Sequence, residues 1–244
     1  MIKILPARTA PWAGPVVRRH APAETSDYKT FRACLRWEFG FHCAFCLVHE
    51  SDLRPQNAIG TEGHGLFGAE HLVPVSVDED LKCAYSNVVY CCGACNSSRQ
   101  DRVDPLLLNP CVDVFAQHFS VTDDELRPTT PRGEATAAAY KVNAVQKRTA
   151  RSMRANYAAE RLEVIAQLAE VPRLLKIAAQ ADDPLIRSWA NDLIIKIGMQ
   201  AAAAEADLVK KLRAIPQDAP SRCRCGSTTH HSLSALLEFQ TKQV

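Results

Sequence analysis

Two cysteine pairs constrain the fold of this chain more than any other sequence feature. Cys43 pairs with Cys46 and Cys92 with Cys95, with two residues between the cysteines of each pair. Four thiolates at this spacing can fill the tetrahedral shell that zinc takes in structural sites. Sulfur ligands alone leave no open position for water, so we expect a structural zinc that closes the chain around the residues between the pairs.

Three neighbouring side chains are alternative ligands for this site. His42 and His49 flank the first pair, and an imidazole can replace a thiolate at zinc. Cys91 stands beside Cys92 and is a competitor for the same position. The better-spaced set, which we predict as the zinc ligands, is Cys43, Cys46, Cys92 and Cys95.

Side chains suited to phosphodiester cleavage lie between and just after the two pairs. Glu70 and His71 are adjacent, Asn87 follows them, and Asn96 comes directly after the last cysteine. The pKa of an unperturbed imidazole lies near neutrality, so a histidine can accept a proton at working pH. Carboxylate and amide oxygens are ligands that suit Mg²⁺ or Mn²⁺.

In this order the residues resemble the HNH family of ββα-metal nucleases. The family pattern is an acidic residue and His, then Pro, Asn, and a Cys-x2-Cys followed by Asn or His and a basic residue. The matching residues are Glu70, His71, Pro74, Asn87, Cys92, Cys95, Asn96 and Arg99. Two positions depart from the commonest pattern, since the family has Asp more often than Glu at the first position and His where this chain has Asn96. Counted from Asn87, the family spacing favours Cys92 over Cys91.

The resemblance implies a role for each of these residues. His71 would be the general base that activates water, Asn87 would orient His71, and Glu70 and Asn96 would hold one Mg²⁺ or Mn²⁺. It also implies an α+β fold, in which a ββα-metal module with a four-cysteine zinc site is followed by a C-terminal helical region. The predicted activity is that of an endonuclease, with DNA favoured over RNA. The rival interpretation is a zinc-ribbon adaptor that binds nucleic acid or protein without cutting, which has no need of Glu70, His71 and Asn96 together.

A longer stretch, about residues 26 to 165, is similar to the HNH subunits of Septu-type anti-phage systems. The similarity covers a helix before the first cysteine pair, the residues 107–110, a strand near Phe119, and a helix with Asn143 and Arg151. Those subunits act beside an ABC-type ATPase, which implies a protein partner and a role as the effector of a defence complex. The chain has no P-loop of its own, so any ATP dependence would come from that partner.

The charge of the whole chain says little about nucleic acid. There are 29 basic and 27 acidic side chains, for a net charge of +2. A local group of basic residues can still bind phosphates, because their attraction acts within roughly 8 Å at physiological salt. Basic residues recur at helical spacing after residue 147, and a solvated helix face is the alternative explanation. The predicted phosphate contacts are Arg99, Arg102, Lys147, Arg151 and Arg154.

Four regions are predicted along the chain. Residues 1–25 form a proline-containing extension, 26–110 the nuclease module, 111–133 a strand and loop connection, and 134–244 a helical region that could dock a partner. We expect strands at 72–75 and 87–90, a helix at 95–102, and a strand or hairpin at 114–121. The helical region should contain a helix from 134 to about 170, a restart at Pro172, and a helix that begins at Pro184 and ends at Gly198. Its apolar residues, from Leu162 to Ile197, could bury one bundle against the nuclease module.

The ten cysteines do not indicate a disulfide scaffold. The first residues lack the apolar segment of a secretory signal, and no apolar run has transmembrane length, so we expect a soluble, cytoplasmic protein with no membrane partner. In that reducing setting paired cysteines indicate a metal. Cys34, Cys83 and Cys111 are expected to be buried free thiols. The sequence leaves open a second metal site formed by Cys223, Cys225, His230 and His231.

Overall fold

The structure, a computed structural model, describes residues 14–53, 66–122, 124–211, 219 and 225–226. It combines helices with two small antiparallel sheets, so the α+β prediction is confirmed. The strands are β1 (Phe67–His71), β2 (Val88–Cys92), β3 (Phe119–Thr122) and β4 (Glu125–Pro128). The helices are α1 (Arg32–Glu38), α2 (Gly93–Arg99), α3 (Pro131–Tyr140), α4 (Val145–Ala178) and α5 (Pro184–Lys211).

The first sheet carries the Glu70-His71 pair at one end. β1 and β2 are antiparallel, with Phe67 opposite Cys92 and His71 opposite Val88. Every residue of β2 is buried, and α2 begins immediately after it. The chain therefore runs strand, strand, helix, with the second cysteine pair at the junction of β2 and α2.

The strand predicted at 72–75 is wrong, because β1 ends at His71. Beyond that point the backbone pairs differently: the Leu72 N–H donates to the Asn87 carbonyl at 2.8 Å, and Val73 binds the Asn87 side chain. Pro74 has no N–H to donate to a neighbouring strand. The second strand and the following helix exist as predicted in order, shifted to Val88–Cys92 and Gly93–Arg99.

The segment before the first cysteine pair packs against β2. Asp27 caps a 3-10 turn, Tyr28–Phe31, that leads into α1. The guanidinium of Arg36 on α1 forms a buried ion pair with Glu50, at 2.5 Å, and Glu50 also accepts a hydrogen bond from the Tyr90 hydroxyl on β2. Because an unpaired buried charge is costly, this network holds α1 and β2 together only when all three groups are present.

The residues after α2 form a hairpin and then a helix. The strand or hairpin predicted at 114–121 is confirmed only in its last residues, where β3 begins at Phe119. A 3-10 turn covers Phe115–Gln117, and β4, the second strand of the hairpin, lies beyond the predicted range. Thr130 caps α3 by accepting the Gly133 N–H, and Lys141, with a left-handed φ of 44°, ends it. The single helix predicted from 134 to 170 is therefore wrong, since the chain breaks before α4 starts at Val145.

Two predicted interruptions of the later helices do not occur. Pro172 lies inside α4, and α5 continues through Gly198. The start of α5 at Pro184 is confirmed, with Asp183 accepting the Leu185 N–H at 2.8 Å. A helix tolerates an internal glycine at a modest cost, about 1 kcal/mol relative to alanine.

The chain divides into two compact units, and the division falls inside α4. One unit contains residues 1–152 and 214–244, and the other contains 153–213. Within the second unit Tyr157 donates to Asp207 at 2.9 Å, so the two helices run antiparallel across the short connection at 179–183. The prediction that the apolar residues of these helices are buried is wrong for Leu174 and Trp189, which are 60% and 59% exposed.

None of the helices among the described residues is long and apolar enough to cross a membrane.

Gly133 supplies a test of the packing between the hairpin and α3. A Cβ atom built there would lie 2.3 Å from the carbonyl oxygen of His118, so alanine must displace backbone. We expect Gly133→Ala to lower the free energy of unfolding by about 1–3 kcal/mol in urea titrations. Gly198→Ala is the matched control, because nothing lies within 4 Å of its Cβ, and it should stabilise the helix slightly. Equal stability of Gly133→Ala and the wild type would contradict the close approach of His118.

Candidate functional site

A buried group of four cysteines joins two distant segments of the chain. The Sγ atoms of Cys43, Cys46, Cys92 and Cys95 all lie within 4.8 Å of one another. The Cys46 and Cys92 sulfurs are 3.7 Å apart. A tetrahedral zinc with Zn–S bonds near 2.3 Å requires sulfur–sulfur distances of about 3.8 Å. The donors and the size of the cluster therefore fit a metal such as zinc.

Backbone hydrogen bonds shape the first cysteine pair around this centre. The Leu47 N–H donates to the Cys43 carbonyl at 3.1 Å, and Leu47 itself takes a left-handed φ of 59°. The Ala44 N–H reaches the Tyr90 carbonyl at 2.8 Å, which ties the turn to β2. The Cys92 N–H points at the Cys43 sulfur from 3.4 Å, so the two pairs are joined by the protein as well as by any ion.

The alternative ligands are not members of the four-sulfur group. His42 and His49 bond locally instead, through Nδ1 to the Gly40 carbonyl at 2.7 Å and to the Ser51 hydroxyl at 2.5 Å. Cys91 is closer, with its sulfur 3.9 Å from that of Cys43, and its S–H donates to the Cys92 carbonyl at 3.4 Å. Cys91 thus borders the centre while Cys92 belongs to it.

The pKa values of the cysteines in the cluster are shifted in opposite directions. Burial opposes ionisation of Cys43, but thiol donors from its neighbours lower its pKa well below the usual value. Burial, followed by the hydrogen bond to Cys43, raises the pKa of Cys46 well above the usual value. A bound dication would replace the thiol protons of its ligands.

Two residues predicted to contact phosphates serve this cluster instead. The Lys147 ammonium is 2% exposed and donates to the Cys95 sulfur at 3.0 Å and to the Tyr140 carbonyl at 2.7 Å. Burial alone would lower the pKa of Lys147, but the charge and hydrogen bond of Cys95 raise it above its ordinary value. Arg151 donates to the carbonyls of Cys46 and Val142, at 2.9 Å and 3.0 Å. Both side chains therefore lie against the cysteine cluster or the backbone that carries it.

The other predicted phosphate contacts have different surroundings. Arg99 is 3% exposed and donates to the carbonyls of His71 and Leu72, each at 2.5 Å. It supports the end of β1 from α2. Arg102 is exposed beside a cleft of about 300 Å³ that is also lined by Arg99, and Arg154 is only partly buried. Among the five predicted contacts, Arg102 and Arg154 are placed to meet a ligand from solvent.

His71 is held in one orientation and one neutral tautomer. Its Nε2 lies 2.8 Å from the Lys82 carbonyl oxygen, which can only accept, so Nε2 must carry the proton. The Tyr28 ring lies against the imidazole, with centroids 4.2 Å apart. No residue in the described part of the chain forms a hydrogen bond with Nδ1. In the neutral ring Nδ1 is therefore the available proton acceptor.

Asn87 acts on His71 through the backbone. Its Oδ1 accepts the Val73 N–H at 2.8 Å, and its Nδ2 donates to the carbonyls of Val73 and Leu81, at 3.0 Å and 3.2 Å. Leu81 precedes Lys82, whose carbonyl holds the imidazole. The amide thus joins the segment that follows His71 to the segment that precedes Lys82, without a hydrogen bond to the ring itself.

Glu70 and Asn96, the predicted Mg²⁺ ligands, lie on β1 and α2. The Glu70 carboxylate is 15% exposed and 3.7 Å from the Arg99 guanidinium. Burial raises the pKa of Glu70 to about 7, and the attraction of Arg99 offsets only part of that effect. Asn96 is exposed and lies three residues before Arg99 on α2, so the two residues share one side of the helix. The oxygen donors suit a hard divalent cation, and neither amide nor carboxylate is sealed from solvent.

Two features of the site could not be read from the sequence. The carbonyl of Lys82 as the partner of His71 carries no side-chain signature. The buried position of Lys147 could not be predicted either, because basic residues on a surface phosphate track would recur at the same helical spacing. Of the residues left open for a second metal site, Cys223, His230 and His231 lie outside the described residues.

No family model, curated protein or solved structure matches this chain. The likeness to HNH nucleases rests on the residues named above, and the activity is therefore a proposal.

Exchange of single cysteines tests which sulfurs hold zinc. Cys46→Ser removes a ligand, and since metal binding contributes to folding at such sites, the variant should lose this zinc and become insoluble or unfolded. Cys91→Ser is the matched control, because it changes an equally buried cysteine next to the cluster and should keep the zinc. Metal content by mass spectrometry and far-ultraviolet circular dichroism measure the two outcomes. Loss of zinc from Cys91→Ser with retention in Cys46→Ser would assign the site to the wrong cysteines.

Proposed function

We propose that this protein is a metal-dependent endonuclease of the HNH type that hydrolyses phosphodiester bonds in nucleic acid. The observation that carries the proposal is the orientation of His71: its Nε2–H donates a hydrogen bond to the Lys82 carbonyl, which leaves Nδ1 as the proton acceptor. That base follows Glu70 at the end of β1. The strand pairs with β2, which ends at Cys92 of the four-cysteine cluster. The adaptor alternative gives no reason for a histidine prepared in this way.

In the proposed reaction His71 takes a proton from water at Nδ1. The water oxygen forms a new bond to phosphorus, and the bond from phosphorus to the 3′ oxygen breaks. The leaving oxygen takes a proton from solvent, and the imidazolium later releases its proton. Positive charge on the ring is tolerated because the Lys82 carbonyl accepts from Nε2 throughout.

Glu70 and Asn96 are the proposed ligands of one Mg²⁺ or Mn²⁺. Such an ion, when bound, would neutralise charge that develops on the leaving oxygen. Arg99 restrains Glu70 from 3.7 Å and anchors the His71 carbonyl, so it is proposed to position these groups instead of binding substrate. Zinc, in contrast, is proposed for the four soft thiolates alone.

The substrate is proposed to approach along the cleft beside α2. Arg102 is exposed there, and the cleft wall continues from Leu72 directly after His71. DNA is the favoured substrate on the resemblance to HNH nucleases. Buried thiols beside a buried lysine suit a reducing compartment, so we propose the cytoplasm as the place of action.

A protein partner is the second part of the proposal. The unit of residues 153–213 exposes large apolar side chains, among them Leu174, Ile177 and Trp189. Exposed apolar faces of this kind are typical of surfaces that bind other proteins. In keeping with the Septu-like arrangement, we propose an ABC-type ATPase subunit as the partner and an antiviral defence complex as the setting.

Replacement of His71 tests the base. His71→Ala should lower the rate of plasmid cleavage by about 10²- to 10⁴-fold, the usual contribution of a general base, with zinc content and thermal stability retained. His118→Ala is the matched control: this partly buried histidine bonds Thr130, outside the site, and its loss should leave the rate unchanged. Full activity in His71→Ala would place the catalytic base elsewhere and favour the adaptor.

Chelation and refilling separate the two metals. Mild EDTA should stop cleavage before it unfolds the protein, because two oxygen ligands hold an ion more weakly than four thiolates. Mg²⁺ or Mn²⁺ alone should restore cleavage in the wild type and in the control Glu79→Ala, which changes an exposed glutamate. Glu70→Ala and Asn96→Ala should not recover. Cleavage that survives chelation, or that only zinc restores, would contradict the proposed ligands.

A further inference from the structure

We propose that the protein has a second metal site, formed by His20, Cys34 and Cys225 and suited to zinc. One ligand atom from each residue lies within 4.8 Å of the other two. Cys34 is fully buried on α1, and His20 is 4% exposed on the segment before that helix. Cys225 comes from the far end of the chain and is partly exposed. Three segments thus bring metal-binding side chains to one point.

The distances agree with the bond lengths of zinc. The His20 Nδ1 atom lies 3.2 Å from the Cys225 sulfur. A tetrahedral zinc with bonds near 2.3 Å to sulfur and 2.0 Å to nitrogen separates the two ligand atoms by about 3.5 Å. A few tenths of an ångström of outward movement would therefore admit the ion. Two thiolates and an imidazole are also the soft and intermediate donors that select zinc over Mg²⁺.

The helix that supplies Cys34 also fixes the backbone of His20. Glu38 stands one turn after Cys34 on α1, and its Oε1 accepts the backbone N–H groups of Arg19 and His20, each at 2.6 Å. Glu38 is 2% exposed, so these charge-assisted bonds are shielded from water. One helix face therefore presents a thiol and holds the imidazole-bearing segment beside it, before any ion binds.

The competing explanation is a hydrogen bond between the His20 imidazole and the Cys225 thiol, with no metal. It accounts for the 3.2 Å contact, but it does not by itself bring the Cys34 sulfur to within 4.8 Å of both atoms. Zinc takes four ligands, and the three residues fill three of them. Water would fill the fourth.

Such a site would crosslink segments that are distant in sequence. It would tie the segment at residue 20 and the segment at residue 225 to α1, which packs on β2. The site is independent of the proposed nuclease activity, since it shares no residue with the four-cysteine cluster or with His71.

Zinc stoichiometry tests the proposal. The full chain, purified without added metal and analysed by mass spectrometry, should contain two zinc ions per chain. Cys34→Ser, Cys225→Ser and His20→Ala should each contain one. Cys111→Ser, the matched control, changes a partly buried cysteine outside both clusters and should contain two. A single zinc in the wild type that Cys225→Ser retains would overturn the second site, as would two zinc ions in Cys225→Ser.

Titration with Co²⁺ gives a second test that does not depend on variants that fold poorly. Co²⁺ added to the metal-free wild type should give sulfur-to-metal absorption in two steps, a larger one from four thiolates and a smaller one from two. Cys225→Ser should lose only the smaller step, and because Cys225 is partly exposed this variant is the least disruptive of the three. Two unchanged steps in Cys225→Ser would show that the smaller step arises elsewhere and would contradict the proposal.

Discussion

The first unit depends most on its buried group of four cysteine sulfurs, which could hold a metal dication such as zinc. The cluster is buried, and its sulfurs come from a turn near residue 43 and from the junction of β2 with α2. A dication bound there would join the turn before β1 to the helix after β2. Arg99 on that helix donates to the carbonyls of His71 and Leu72, so the helix also supports the Glu70-His71 end of β1.

Two basic side chains, Lys147 and Arg151, are placed to offset the negative charge of a metal-bound four-cysteine cluster. Four thiolates around a dication keep a net negative charge, which is costly in an apolar interior. Lys147 reaches the Cys95 sulfur, and Arg151 binds the carbonyl of Cys46, so both lie against the ligands. The start of α4 is thereby part of the metal centre's support. The sequence suggests a phosphate track there because the helical spacing of basic residues does not reveal which side of the helix is buried.

The parts of the structure that the sequence predicts correctly are those with local chemical signatures. The spacing of the cysteines selects the four sulfurs, and Asp183-Pro184 marks the start of α5. The misplaced elements depend on backbone contacts and conformations that the pattern of residue types does not show. β1 ends at His71 because Asn87 takes over the backbone of Leu72 and Val73. The break after Tyr140 depends on Lys141 adopting a left-handed conformation, which an alanine-rich helical pattern does not predict. The partner of the His71 ring is a backbone carbonyl, so no residue type could have identified it.

The central claim is that zinc bound by Cys43, Cys46, Cys92 and Cys95 organises the unit that carries Glu70 and His71. Diffraction data collected from crystals on both sides of the zinc absorption edge test it most directly. We predict an anomalous peak inside the cluster, about 2.3 Å from each of the four sulfurs. A well-ordered crystal structure with no zinc at this position, or with Cys91 as a ligand in place of Cys92, would contradict the account.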